Sequence, residues 1–404
     1  MKKTSVFLFL LFGLLLIVPS YVFSESNDII SVPETDVSSE TVRGEIIEIL
    51  EDTPQVQEIV VKVKQGEFKG ETVTARQTLS GNPAQDFYFQ EGERVLLWIE
   101  SEDGVIQRTL VRELTRDHYL GYLTAFFIFS LVLIGGIKGI KTVVSLALTA
   151  FLVIQVLIPF ILAGLPPIPV TIFVASIITT SSVLIISGFN RKSLAAIIGT
   201  IGGVIIAGIL AWVMTRLTRL TGLSGDETQM LMYIPQQIDF DYQGLLFAGM
   251  IIGAVGAVLD IGMSISSAID EVKRSNPAIS TKNLIKSGLN LGKDIMGTMA
   301  NTLILAYTGA SMSLLLVLVA HNISFARVVN MDAMSTEIVR ILAGSIGLIY
   351  AIPITAIVAG LLYKNVDVEK EASIIEEKKE MKEKKKKDKR DKKLLPDKKK
   401  RSKN

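Results

Sequence analysis

GAVLDIGMSISSAIDEV, Gly256 to Val272, closes a long apolar run and keeps an aspartate, Asp260, inside it. With 3.6 residues per helical turn, positions i, i+4, i+7 and i+11 share one face. Counting from Asp260 these are Ser264, Ser267 and Glu271, so the face is polar along its length. Val258, Ile261, Ile265 and Ile269 fall on the other side. Upstream, Gly249, Gly253 and Gly256 leave one side of the same helix smooth enough for close packing. An aspartate at mid-span costs about 2.5–3.5 kcal/mol on insertion scales. Asp260 is therefore expected to face protein or water, and the stretch reads as a membrane helix with a polar stripe.

Composition supports that setting. Of 404 residues 49% are hydrophobic, and the mean hydropathy is +0.44. Several windows reach the roughly 20 apolar residues that cross a bilayer. The net charge of +2 hides a segregation, with basic residues concentrated in the last forty or so positions. Cysteine is absent and the only histidines are His118 and His321, which excludes disulfides, thiol catalysis and Cys/His metal sites. No metal and no cofactor is expected. The chain has neither a GxxxxGK[ST] loop nor an H-E-x-x-H helix. In the soluble part acidic residues match the basic ones, so nucleic acid is not an expected partner.

Read from the start, residues 1–24 form a signal peptide: Lys2 and Lys3, the apolar core Val6 to Val18, then Val22-Phe23-Ser24. An uncleaved anchor is the alternative, and either places the adjoining residues outside the cytoplasm. Residues 25–41 suit a flexible linker. Residues 42–114 hold five short strands, expected at Val42–Leu50, Gln57–Lys64, Glu71–Leu79, Arg94–Ile99 and Val105–Arg112, punctuated by turn glycines. They predict a small extracytoplasmic barrel, OB-like or SH3-like. Residues 115–363 predict an all-α membrane bundle of about seven spans, at 119–137, 142–162, 168–188, 193–214, 245–269, 295–320 and 338–363. The span at 295–320, with Gly309 near its middle, is open to being broken or re-entrant. Lys and Arg in alternate loops place the C-terminus in the cytoplasm and residues 25–118 outside a bacterial plasma membrane. Residues 364–404 read as a charged, solvated tail, with anionic lipid as its candidate partner beside the lipid bilayer itself.

A second polar stripe lies in SGLNLGKDIMGTMANTLILAYTGAS, Ser287 to Ser311. There Asp294, Thr298 and Asn301 follow helical spacing, and Asp294 and Asp260 are candidates to share a cleft. Gly199, Gly203 and Ala207, four residues apart, read as a helix-packing face, as do Gly249 and Gly253. Pro277 to Gly288 suggests a short amphipathic surface helix.

GAVLDIGMSISSAIDEV, followed some thirty residues later by SGLNLGKDIMGTMANTLILAYTG, resembles the signature region of the YibE/F-like family of bacterial multi-spanning membrane proteins. The resemblance runs from about Val42 to Tyr363 and leaves out the basic tail. It implies a signal-like start, a small extracytoplasmic β region and a hydrophobic bundle, and it brings no activity or site residues with it. From the residues themselves, three functions compete. The leading one is a transporter coupled to protons or a monovalent cation through Asp260, with Ser264, Ser267, Glu271, Asp294, Thr298 and Asn301 along the path. The second is an envelope scaffold or sensor whose outer β domain binds a partner, Asp260 then being interhelical glue. An intramembrane enzyme is third and is not expected, because VLDIG and GKDIM lack the Gly-x-Gly-Asp arrangement of intramembrane aspartyl proteases.

Overall fold

The computed structural model describes residues 37–82, 86–233 and 240–364. The expected signal peptide, most of the linker and all but the first residue of the charged tail lie outside the described residues. The chain divides into two compact units at Gly136/Ile137.

The first unit is built on a five-stranded antiparallel sheet: β1 (Val37–Asp52), β2 (Val56–Val63), β3 (Thr72–Thr78), β4 (Arg94–Glu102) and β5 (Val105–Leu114), in the order β3-β2-β1-β4-β5. β3 and β5 also approach each other, so the sheet curls into a nearly closed barrel of the OB-like kind. β1 begins at Val37 rather than Val42, because Val37 to Glu45 pair with β4 in unbroken register. Two register shifts in its pairing with β2, between Ile46 and Glu48 and between Ile49 and Glu51, bend this 16-residue strand around the barrel. At the bend, Gly44 is needed because a side chain there would run into Val61 and Leu97. The interior follows the period of two: Ile59, Val61 and Val63 on β2 face Val95, Leu97 and Ile99 on β4, all nearly inaccessible. Gln57 closes one end. Its amide Nε2 donates to the Phe89 carbonyl at 3.0 Å, and its Oε1 accepts the Phe89 N–H at 2.8 Å.

The helices longer than two turns are α1 (Asp117–Leu162), α2 (Pro167–Ser187), α3 (Arg191–Leu217), α4 (Tyr242–Ser275), α5 (Thr281–Ala310), α6 (Met312–Ala320) and α7 (Asp332–Leu362). Five of them are long and apolar enough to cross a membrane, and α5 with α6, bent by 65°, makes up to six. The expected first two spans form one 46-residue stretch in which two helices meet directly, with no intervening loop. It breaks at Gly136, whose φ of 52° and ψ of −130° suit only glycine, and contains a π-helical turn at Val153–Leu157 just before Pro159. The expected span 295–320 is broken at Ser311, and the amphipathic stretch before it is continuous with α5, whose first turn is capped by the Ser280 side chain.

The second unit is centred on α3, α4 and α7. Gly199 lies against Thr355, and Gly203 against Gly347, Ala351 and Val258, so α3 and α7 touch almost backbone to backbone. Gly262 of α4 rests on Thr200 of α3. α5 packs through Gly288 on Ile269 and through Gly292 on Ile352. The seam is polar as well as small. Thr355 and Ser266 are fully buried and return their hydroxyls to carbonyls of their own helices, at 2.7 Å on Ala351 and 3.1 Å on Met263.

Candidate functional site on the polar face of α4

α4 is 34 residues long and has two distinct sides. Val258, Ile261, Ile265 and Ile269 have no accessible surface and form the centre of the helical core. On the opposite side Gly249, Gly253, Gly256, Asp260, Ser264 and Glu271 are exposed and Ser267 is half-buried. Asp260 thus stands roughly midway along the helix on its outward face. Among the described residues no hydrogen bond or ion pair reaches its carboxylate.

The packing glycines separate here. Gly253 lies against the Tyr307 hydroxyl of α5, whereas Gly249 and Gly256 have nothing within 4 Å of where a Cβ would stand. Gly249 is therefore a small residue on an open face, not a contact, because that side of α4 points away from α3 and α7.

α5 runs antiparallel beside α4, with Tyr307 at Gly253, Gly292 next to Ile265 and Gly288 next to Ile269. This register puts Asp260 at the depth of the segment holding Asp294, Thr298 and Asn301. These three are exposed too. No hydrogen bond or ion pair joins the two stripes among the described residues, and the Thr298 hydroxyl is returned to Ile295 at 2.8 Å. The expected sharing of one cleft by Asp260 and Asp294 is thus not a direct contact. The two helices instead present their stripes outward at one depth, as neighbouring polar strips on a single flank.

Each end of that flank carries polar groups that periodicity alone did not single out. Toward the Asp332 end of α7, Arg340 is half-buried, pairs with Glu337 at 3.4 Å and lies 5.8 Å from the Tyr307 ring centre. The available signal was the Glu337/Arg340 pair at i,i+3 just ahead of the apolar run that starts at Ile341. At the other end Asp270 is buried, accepts the Tyr363 hydroxyl at 2.6 Å and pairs with Arg274 at 3.1 Å. Lys273, also buried, donates to the Pro277 carbonyl at 2.6 Å. Asp270 is one residue from Glu271, but that single step of 100° carries it from the outward face into the core. Asp270 is thus satisfied and ties α4 to Tyr363 at the end of α7, whereas Asp260 has no partner among the described residues.

Among the described residues no three His, Cys, Asp or Glu side chains come together as a metal site requires. Chemically, the flank offers three carboxylates without a partner among the described residues, Asp260 at mid-helix and Glu271 and Asp294 toward one end, with a series of hydroxyl and amide oxygens, suited to holding a proton or a small cation. Residues 123–365 match the family described as YibE/F-like protein, and residues 24–112 match the YibE/F family N-terminal domain. No curated protein and no solved structure matches the chain. With several helices apolar enough to cross a bilayer and both family regions in place, this chain is a membrane protein and belongs to the YibE/F-like family.

Proposed function

We propose that the protein is an ion- or proton-coupled transporter of the bacterial plasma membrane whose coupling group is Asp260. One observation carries this reading: a carboxylate midway along a membrane helix, on its outward face, with no partner among the described residues. An aspartate serving as glue would be paired, as Asp270 is with Tyr363 and Arg274. An unpaired one facing lipid would cost about 2.5–3.5 kcal/mol for nothing. Water on that flank removes the cost and makes the carboxylate able to take up a proton or a monovalent cation. Ser264, Ser267, Thr298 and Asn301 then offer oxygens through which a cation replaces its hydration shell, and Glu271 and Asp294 draw it toward the loop between α4 and α5. Residues 25–118 lie outside the cell and the C-terminus in the cytoplasm in this reading, which rests on the distribution of Lys and Arg among the loops.

The test is charge movement in reconstituted protein. Wild type and Asp260→Asn are inserted at equal density, and current and pH-gradient dissipation are recorded during pH and cation jumps. Transport by wild type and its loss in a folded Asp260→Asn support the proposal. Equal fluxes in both remove Asp260 as the coupling group.

A second reading, a scaffold or sensor whose β domain binds a partner, is favoured by the exposed Ile47, Leu50 and Tyr88 on the barrel. It predicts a silent wild type together with an Asp260→Asn variant that melts lower.

A further inference from the structure

Where the chain leaves the barrel for α1, a polar cleft of about 450 Å³ is lined by Arg43, Glu45, Lys64, Arg94, Asp117 and His118. Three permanent cations face two carboxylates there, an excess of one positive charge before His118 is protonated. Two of the cations are held in place. Lys64 Nζ sits 2.6 Å from Glu45, and the Arg43 guanidinium pairs with Asp117. The Lys64 hydrogen bond also holds the Glu45 carboxyl below its ordinary range, so this pair stays charged on both sides.

The third cation, Arg94, makes no side-chain hydrogen bond or ion pair among the described residues. His118 Nδ1 is shielded from solvent, has no hydrogen-bond partner and lies 3.6 Å from Asp117. The cleft thus has a cationic wall of Arg43 and Lys64 and unused donor capacity at Arg94, while His118 Nδ1 is turned toward Asp117. α1 starts at Asp117, and Tyr119 and Tyr122 are exposed in its first turns, where tyrosines mark the boundary between bilayer and water.

We propose that this cleft binds a phosphate-bearing anion, with Arg94 as its main contact and Arg43 and Lys64 at its sides. The planar fork of a guanidinium matches phosphate oxygens, and the paired carboxylates keep the flanking cations pre-positioned. The phosphate belongs either to an anionic lipid headgroup or to a soluble ion. This site is independent of Asp260, being in the other unit of the chain.

The experiment titrates full-length protein in detergent with sodium phosphate, with dioctanoyl phosphatidylglycerol, and with dioctanoylglycerol as the phosphate-free control, following the thermal midpoint. The site predicts a saturable rise with at least one phosphate ligand beyond the control. In Arg94→Gln the half-saturating concentration rises about tenfold or more, the loss of a charged hydrogen bond. Lys64→Gln, removing a flanking cation, gives a smaller rise in the same direction and serves if Arg94→Gln does not fold. A response to phosphatidylglycerol alone identifies a lipid headgroup, and a response to phosphate alone a soluble anion. No saturable response to either, or one unchanged in both variants, overturns the proposal.

Discussion

Replacing Gly203 by alanine tests the packing of the helical unit, because the added methyl has nowhere to go. Its Cβ would stand 2.7 Å from the Gly347 carbonyl oxygen, 2.7 Å from Ala351 Cβ and 2.8 Å from Val258 Cγ1. Carbon contacts settle at about 3.5–4.0 Å, so the overlap approaches roughly 1 Å on three sides. Two of the three neighbours are backbone or Cβ atoms and cannot turn aside. Overpacking of this kind costs about 1–3 kcal/mol, and three simultaneous clashes place Gly203→Ala near the top of that range. Against it stands the helix preference for alanine over glycine, about 1 kcal/mol. The net loss is then about 2 kcal/mol. Gly249→Ala on the open face of α4 meets nothing within 4 Å and keeps only the gain. Reversible unfolding of the two variants in mixed micelles with increasing sodium dodecyl sulfate should separate them by about 3 kcal/mol, with wild type between. Equal stabilities within about 0.5 kcal/mol would refute the α3–α7 contact.

Three further outcomes are expected from named groups. Gln57→Leu strands both the N–H and the carbonyl of Phe89 in the barrel interior, which should cost about 1–3 kcal/mol for each group in denaturant unfolding of the full chain. Glu45 is ionised more readily when folded than its unfolded value of 4.5, so its contribution is present above that pH and lost as pH falls through the lower folded value. Wild type should therefore lose thermal stability more steeply than Glu45→Gln as pH drops from about 5 to 3, and parallel curves would remove the Lys64 pairing as its source. Asp260→Asn, touching no partner among the described residues, should leave stability within about 0.5 kcal/mol of wild type.

The barrel was legible because its strands alternate: VQEIVVKV and RVLLWIE put every second residue inside, and turn glycines separate them. The early start of β1 was not, since VSSET has no apolar rhythm and is fixed by pairing with β4. Hydropathy reveals how much apolar chain there is but not where its path breaks. Gly136 and Ser311 interrupt runs whose composition hardly changes, so hydropathy did not show that the first two expected spans meet at a kink with no loop between them, and it left the break of the sixth open. The stripe on α4 was readable from period alone. Its neighbours were not, because spacing gives an angle about one helix axis and says nothing of what stands opposite. For that reason Asp260 and Glu271 could be grouped, while the inward-facing Asp270 and Lys273, and the distant Tyr363 and Arg340, could not.

The central claim is that the outward flank of α4 meets water inside the membrane. The cysteine-free chain allows it to be asked one residue at a time. Single-cysteine variants Asp260→Cys, Ser264→Cys and Ser267→Cys are reconstituted and exposed to a charged, membrane-impermeant methanethiosulfonate, which needs a solvated thiolate to react. Ile209→Cys, on an exposed apolar position of α3, and Val258→Cys, in the core, are the controls. The account predicts rapid labelling along the Asp260 stripe and none at the two controls. A stripe as inert as Ile209→Cys would mean that Asp260 faces lipid or a tight protein contact, and the transport proposal would fall with it.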